Sequence, residues 1–114
     1  MNLKNLTELM EQFIEERDWR QYNSLKNISI NISVEAAELL EYFTWIDNKD
    51  SVAIFEKKKE KISQEVADIL ISTLQFCAIA HLDAEKILLE KFEEIKAKYP
   101  VEKVKGKSHK YNEY

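Results

Sequence analysis

A chain of 114 residues with a formal net charge of −4 has room for one compact core and not for two comfortable ones, so a large active site would need a second copy. One Gly and one Pro leave few residues for tight turns, which argues against a hairpin-rich sheet protein and favours long helices. Acids and bases are mixed along the chain, so no basic footprint for a nucleic-acid polymer is present, although a free nucleotide is compatible with this charge.

Leu3, Leu6, Met10, Phe13 and Ile14 recur at helical spacing opposite Glu8, Glu11, Glu15 and Glu16, predicting an amphipathic helix from about Leu3 to Arg17. Asp18 to Asn23 reads as a connector. Ser24 or Asn27 is the expected cap of a second helix through Ile28, Ile32, Ala36, Leu39, Leu40 and Phe43 to about Trp45, ended by Asp47 to Asp50. Ser51 is the expected cap of a short segment, Val52 to about Lys59. A longer helix from about Ile62 to His81 follows, with a nearly continuous apolar centre. Asp83 should cap a last helix that repeats Ala84, Ile87, Leu88, Phe92 and Ile95 until Pro100 stops it.

These elements predict an all-α fold, an antiparallel bundle of four main helices plus a short extra one. The domain is expected over residues 1–100, with a polar, lysine-bearing tail over 101–114. The wide apolar arcs of the second and third main helices predict self-association as a dimer or a dimer of dimers. Cys77, alone in the apolar run Ile69 to Ala80, reads as a small buried side chain in a reducing compartment. Ser72, Thr73 and Gln75 interrupt the most apolar run, so neither a membrane span nor a signal peptide is expected, and the cytoplasm follows.

Acids stand where they are hardest to solvate. At about 100° per residue, Glu35, Glu38, Tyr42 and Trp45 share one sector of the second helix, joined by Asn31. Glu65, Asp68 and Ser72 share a stripe of the third main helix, with Lys61 and Gln75 on it. Carboxylates three residues apart repel, and burying them costs several kcal/mol per ion unless a counter-charge is supplied. Magnesium is such a counter-charge, since it takes oxygen ligands, keeps some water and is shared between carboxylates and substrate phosphates. Either acid pair alone is ordinary on a solvated helix face. Both pairs on the two most apolar helices point to a metal site, with neutralisation by lysines as the alternative.

The order Glu35-x-x-Glu38, 26 intervening residues, then Glu65-x-x-Asp68 resembles the signature of the MazG-like all-α nucleoside triphosphate pyrophosphohydrolases. Phe13 to Trp19, Lys26-Asn27, Glu38 to Trp45, Lys98 to Pro100 and Lys110-Tyr111 are similar to the dCTP pyrophosphatase branch, so the resemblance spans nearly the whole chain. It implies a helical bundle, assembly as dimers or tetramers, and cleavage of a nucleotide to its monophosphate and pyrophosphate. It also implies that Glu35, Glu38, Glu65 and Asp68 bind magnesium, with manganese as a substitute. Two departures, Ala37 where related sequences often have Gly and Ser72 where they often have Tyr, bear on the substrate more than on the metal.

Within that implied chemistry, Glu38 or its neighbour Glu41 is the candidate base for the attacking water. Lys26, Lys107 and Lys110 are candidates for the phosphates, and Trp19, Tyr22, Trp45, Tyr99 and Tyr111 for stacking on a base. Asn31 is grouped with them as a substrate-binding candidate. The tail is expected to close over bound substrate. Glu-x-x-His pairs and a glycine-rich phosphate loop are both missing from the sequence, which argues against a di-iron bundle and a P-loop enzyme. Hydrolysis of dUTP or phosphoribosyl-ATP, and a non-enzymatic helical interaction module, remain the alternatives.

Overall fold

The computed structural model describes residues 1–107, which include no strand. It contains α1 (Leu3–Glu16), α2 (Leu25–Glu41), α3 (Ser51–Ala80), α4 (Ala84–Lys98) and α5 (Val101–Val104), with 3-10 turns at Arg20–Tyr22 and Asn48–Asp50. His109, Lys110 and Tyr111 lie outside the described residues. The chain divides into two compact units, Met1–Leu82 and Asp83–Tyr114.

In the first unit, α1 opens on a reciprocal cap. The Asn5 N–H donates to the Asn2 side chain at 2.9 Å, and the Asn2 N–H donates back to the Asn5 side chain at 3.4 Å. The helix closes with Asp18 in the left-handed region at φ 51°, while the Trp19 N–H reaches the Ile14 carbonyl at 3.0 Å. Ser24, rather than Asn27, caps α2, accepting from the Asn27 N–H at 3.1 Å. The connector predicted over Asp18 to Asn23 contains one 3-10 turn, braced by Arg20 pairing with Glu11 and Glu15.

Two boundaries differ from the sequence expectation. First, α2 ends at Glu41 instead of running to Trp45, because the Tyr42 and Phe43 N–H groups bond three residues back, to Leu39 and Leu40. Trp45 is therefore carried off the helical sector assigned to it. Second, the break expected between the short segment and the long helix falls at Lys58, where φ is −115° and ψ is 21°, as a bend within one run, Ser51–Ala80, and not as a separation of two elements. Glu56 to Lys61 contains neither Gly nor Pro, so nothing in it stops a helix outright. Ser51 is the first helical residue and not the cap. Asp50 holds that position without a side-chain bond.

α3 packs against both α1 and α2. Ile14 from α1, Ile28 from α2, and Ile62, Cys77 and Ala78 from α3 are buried, which accounts for the apolar centre of α3 and the inert character expected of Cys77. Burial also pushes the Cys77 thiol up. By length and composition, Lys59–Ala80 is apolar enough to cross a membrane, but it carries Glu65 and Asp68 and packs against α1 and α2. His81 terminates α3 in the left-handed region at φ 58°, and the Leu82 N–H bonds the Cys77 carbonyl at 2.9 Å.

In the second unit, Asp83 caps α4 as expected, accepting from the Lys86 N–H at 3.1 Å. Exposed pairs Lys91–Glu94, Lys96–Glu93 and Lys98–Glu94 run along the helix at 2.8–3.3 Å. Beyond Pro100, the polar tail starts with the short helix α5. Its Val104 and Lys105 N–H groups bond the Pro100 and Val101 carbonyls.

Candidate active site

α2 and α3 are joined by the short connection at residues 42–50 and pack along each other, so they run antiparallel. That geometry brings the two acid pairs to one level. Glu35 and Glu38 lie one turn apart on α2 and face Glu65 of α3. One carboxylate oxygen from each of the three falls within 4.8 Å of the others, and all three side chains are half-buried.

Two of these groups are short of partners. Oε2 of Glu35 and Oε2 of Glu65 are buried with no hydrogen-bond donor. A buried anionic oxygen without a donor is costly, and the protein's answer without an added cation is to keep a proton. Desolvation, then hydrogen bonds and charge from Glu38 and Glu35, push Glu65 up to about 7. Glu35 is also pushed up, first by desolvation and then by Glu38 and Asp68, while a hydrogen bond from Glu65 pulls the other way.

Asp68, one turn beyond Glu65, is exposed and outside the tight group of three, yet close enough for its charge to act on Glu35. Among the described residues no Lys or Arg forms an ion pair with Glu35, Glu38, Glu65 or Asp68. Neutralisation by lysines, the alternative that the sequence left open, is not seen among the described residues. The donor set is all oxygen, anionic, crowded and short of positive charge, which fits a hard divalent cation such as magnesium.

The remaining candidates are more dispersed. Glu41 is the exposed last residue of α2. Trp45 is 92% exposed in the turn after it. Asn31 and Lys26 are exposed on α2, and Tyr22 is exposed in the 3-10 turn. Trp19 stands edge-on to Phe13 at 5.7 Å, and the Arg17 guanidinium lies over the Phe13 ring at 3.8 Å, so part of the Trp19 surface is already used structurally. Tyr99 and Lys107 belong to the second unit, where Tyr99 ends α4 and the Lys107 N–H bonds the Val104 carbonyl at 2.8 Å. The sequence pattern grouped four acids as equals. It held no signal for the separation of Asp68 from the other three, which depends on how α2 and α3 are rotated against each other.

Comparison with known proteins identifies the family. The MazG-like family model matches residues 30–114, a span containing both acid pairs. Rat dCTP pyrophosphatase 1 is 27% identical over 97% of this chain, and its human counterpart is 26% identical over the same share. The chain spans 66% of the length of these curated relatives, just under two thirds. A pyrophosphatase from Archaeoglobus fulgidus, solved by crystallography, superimposes with a TM-score of 0.78 at 33% identity, covering 85% of this chain and 91% of the other.

Proposed function

Because the chain belongs to the MazG-like family, we propose that it is a magnesium-dependent pyrophosphohydrolase that converts a nucleoside triphosphate to its monophosphate and pyrophosphate. The observation that carries this reading is the three-carboxylate cluster with two buried, donorless oxygens. The substrate proposed is dCTP or a related pyrimidine deoxynucleotide, on the strength of the named relatives.

Glu35, Glu38 and Glu65 would hold the metal, with Asp68 completing the set from the exposed side. When bound, magnesium supplies charge neutralisation on the phosphate oxygens and acidifies a water; manganese would substitute for it. Glu38 or Glu41 takes the proton from the attacking water. Glu41 is the freer of the two, since Glu38 is already committed to the crowded cluster. The exposed indole of Trp45 suits stacking on a base, and the ammonium of Lys26 suits an anionic oxygen.

The domain proposed is residues 1–100, with the 101–114 tail closing over the nucleotide through Lys107, Lys110 and Tyr111. We place the protein in the cytoplasm as a homodimer or homotetramer, without a nucleic-acid polymer or membrane partner. The self-association is supported by Leu40, Leu70 and Ile71, all exposed on α2 and α3.

A panel of dCTP, dUTP, the remaining triphosphates and phosphoribosyl-ATP, assayed for pyrophosphate with magnesium present, tests the reading. Highest turnover on dCTP supports it. Preference for dUTP or phosphoribosyl-ATP would move the substrate to one of the related hydrolases, and no turnover of any would leave the helical interaction module.

A further inference from the structure

α3 is strongly basic around its bend. Glu56 to Lys61 contains four lysines, Lys57, Lys58, Lys59 and Lys61, and α3 leaves helical geometry at Lys58. At that bend a cavity of about 280 Å³ is lined by Lys57, Lys58, Glu60 and Lys61, three ammonium groups against one carboxylate. None of the four lysines is in an ion pair among the described residues. Lysine runs on helices are usually plain solvated surface, and without the cavity and the bend this one would be too.

Its position relative to the acids gives it a direction. At about 100° per residue, Lys61 falls in the same sector of α3 as Glu65, Asp68 and Ser72. Lys61 precedes Glu65 by one turn, or about 6 Å of rise at 1.5 Å per residue, and Lys58 stands at the bend just beyond it, lining the same cavity. A lysine side chain reaches roughly as far as that rise, so the ammonium groups can meet a ligand that starts at the carboxylates. The cavity is also smaller than the roughly 300–1,000 Å³ of pockets that enclose whole ligands, which suits a phosphate end and not a nucleoside.

We propose that Lys57, Lys58 and Lys61, at the bend of α3, form a subsite for the pyrophosphate end of the substrate and for the pyrophosphate product. This rests on the pyrophosphohydrolase reading above. Negative charge then meets cations at two places along α3: a metal among the carboxylates, and ammonium groups at the bend. Because the lysines contact the leaving half of the substrate, they bind substrate and product alike and affect affinity more than the chemical step.

The test compares the parent protein with the double variant Lys58→Gln/Lys61→Gln, with Lys57→Gln as a milder second variant and Lys4→Gln as a control for surface charge. Circular dichroism checks the fold, and Mn²⁺ binding by electron paramagnetic resonance checks the carboxylate site separately. The expected result is a rise of about tenfold or more in both the Michaelis constant and the inhibition constant for inorganic pyrophosphate, as lost charge-assisted contacts imply. Turnover at saturation should stay within about threefold and Mn²⁺ binding unchanged. Lys61→Arg should retain most of the parent's affinity for pyrophosphate. Constants within twofold of the parent, or an equal change in Lys4→Gln, would overturn the subsite while leaving the pyrophosphohydrolase reading intact. If the parent turns over no nucleotide, that reading fails on its own. The subsite is then judged by calorimetric titration with pyrophosphate: binding lost in the double variant supports it, and no binding by the parent overturns it.

Discussion

Glu35 and Glu65, on different helices, each bury one carboxylate oxygen, Oε2, without a hydrogen-bond donor, and the two side chains belong to one cluster in which carboxylate oxygens lie within 4.8 Å of one another. This pairing has a pH signature. Glu65 is pushed up to about 7 from 4.5, so its contribution to folding is fully present below 4.5 and lost as pH rises through 7. Glu35 is shifted in the same direction. The metal-free protein should therefore lose thermal stability between about pH 4.5 and 7, and Glu65→Gln should flatten that loss. A midpoint that rises across this interval in both proteins would contradict the pairing. Because magnesium needs the ionised forms, its binding near pH 6 should release protons, measurable by titration in buffers of different ionisation enthalpy.

Asp68→Asn removes a charge from the exposed edge of the cluster with little change of volume. Helical circular dichroism should be unchanged, and turnover should fall by about a hundredfold or more at ordinary magnesium. Turnover within a factor of two of the parent at saturating magnesium would remove Asp68 from the metal set.

The choice of base can be read from a pair of variants. If Glu41 takes the proton, Glu41→Gln should lower turnover by about 10²–10⁴ without changing Mn²⁺ affinity. Glu38→Gln should weaken Mn²⁺ binding as well. An active Glu41→Gln would assign the proton to Glu38.

Leu40 and Leu70, 60% and 59% exposed, lie on the helices that also carry the acids. If these faces meet a second copy, light scattering of the parent should give twice or four times 13.5 kDa, and Leu70→Glu should shift it toward the monomer. A fully active parent of 13.5 kDa would contradict self-association.

Deletion after Pro100 tests the tail. The expected outcome is a folded oligomer with a strongly raised Michaelis constant, because phosphate and base contacts are lost while the first unit is untouched. An unchanged Michaelis constant would mean that the tail does not touch the nucleotide.

Much of this was legible in the sequence, for local reasons. Ser24 and Asp83 announce helix starts because their side chains can accept from the backbone, and both do. Glu35, Glu38 and Glu65 were legible as a group because helical spacing fixes their faces. The break near Lys59 was legible as well, while its form, a bend at Lys58 inside one helical run, was not, because a run of good helix formers carries no local instruction to separate two elements. Trp45 was misplaced because the end of α2 is set by turn bonds at Tyr42 and Phe43, which leave no mark on hydrophobic periodicity. The exposure of Asp68 depends on helix rotation, a tertiary property. The nucleotide was read only through resemblance, since the spacing of the acids points to a metal and names no substrate.

The proposed metal site is the cluster of Glu35, Glu38 and Glu65. Pyrophosphate release from dCTP as magnesium is titrated, in the parent and in Glu35→Gln, tests it. Saturable, magnesium-dependent release by the parent is expected, abolished by a chelator and reduced by about a hundredfold or more in the variant. Release that persists without a divalent ion, or that Glu35→Gln leaves unchanged, would contradict it.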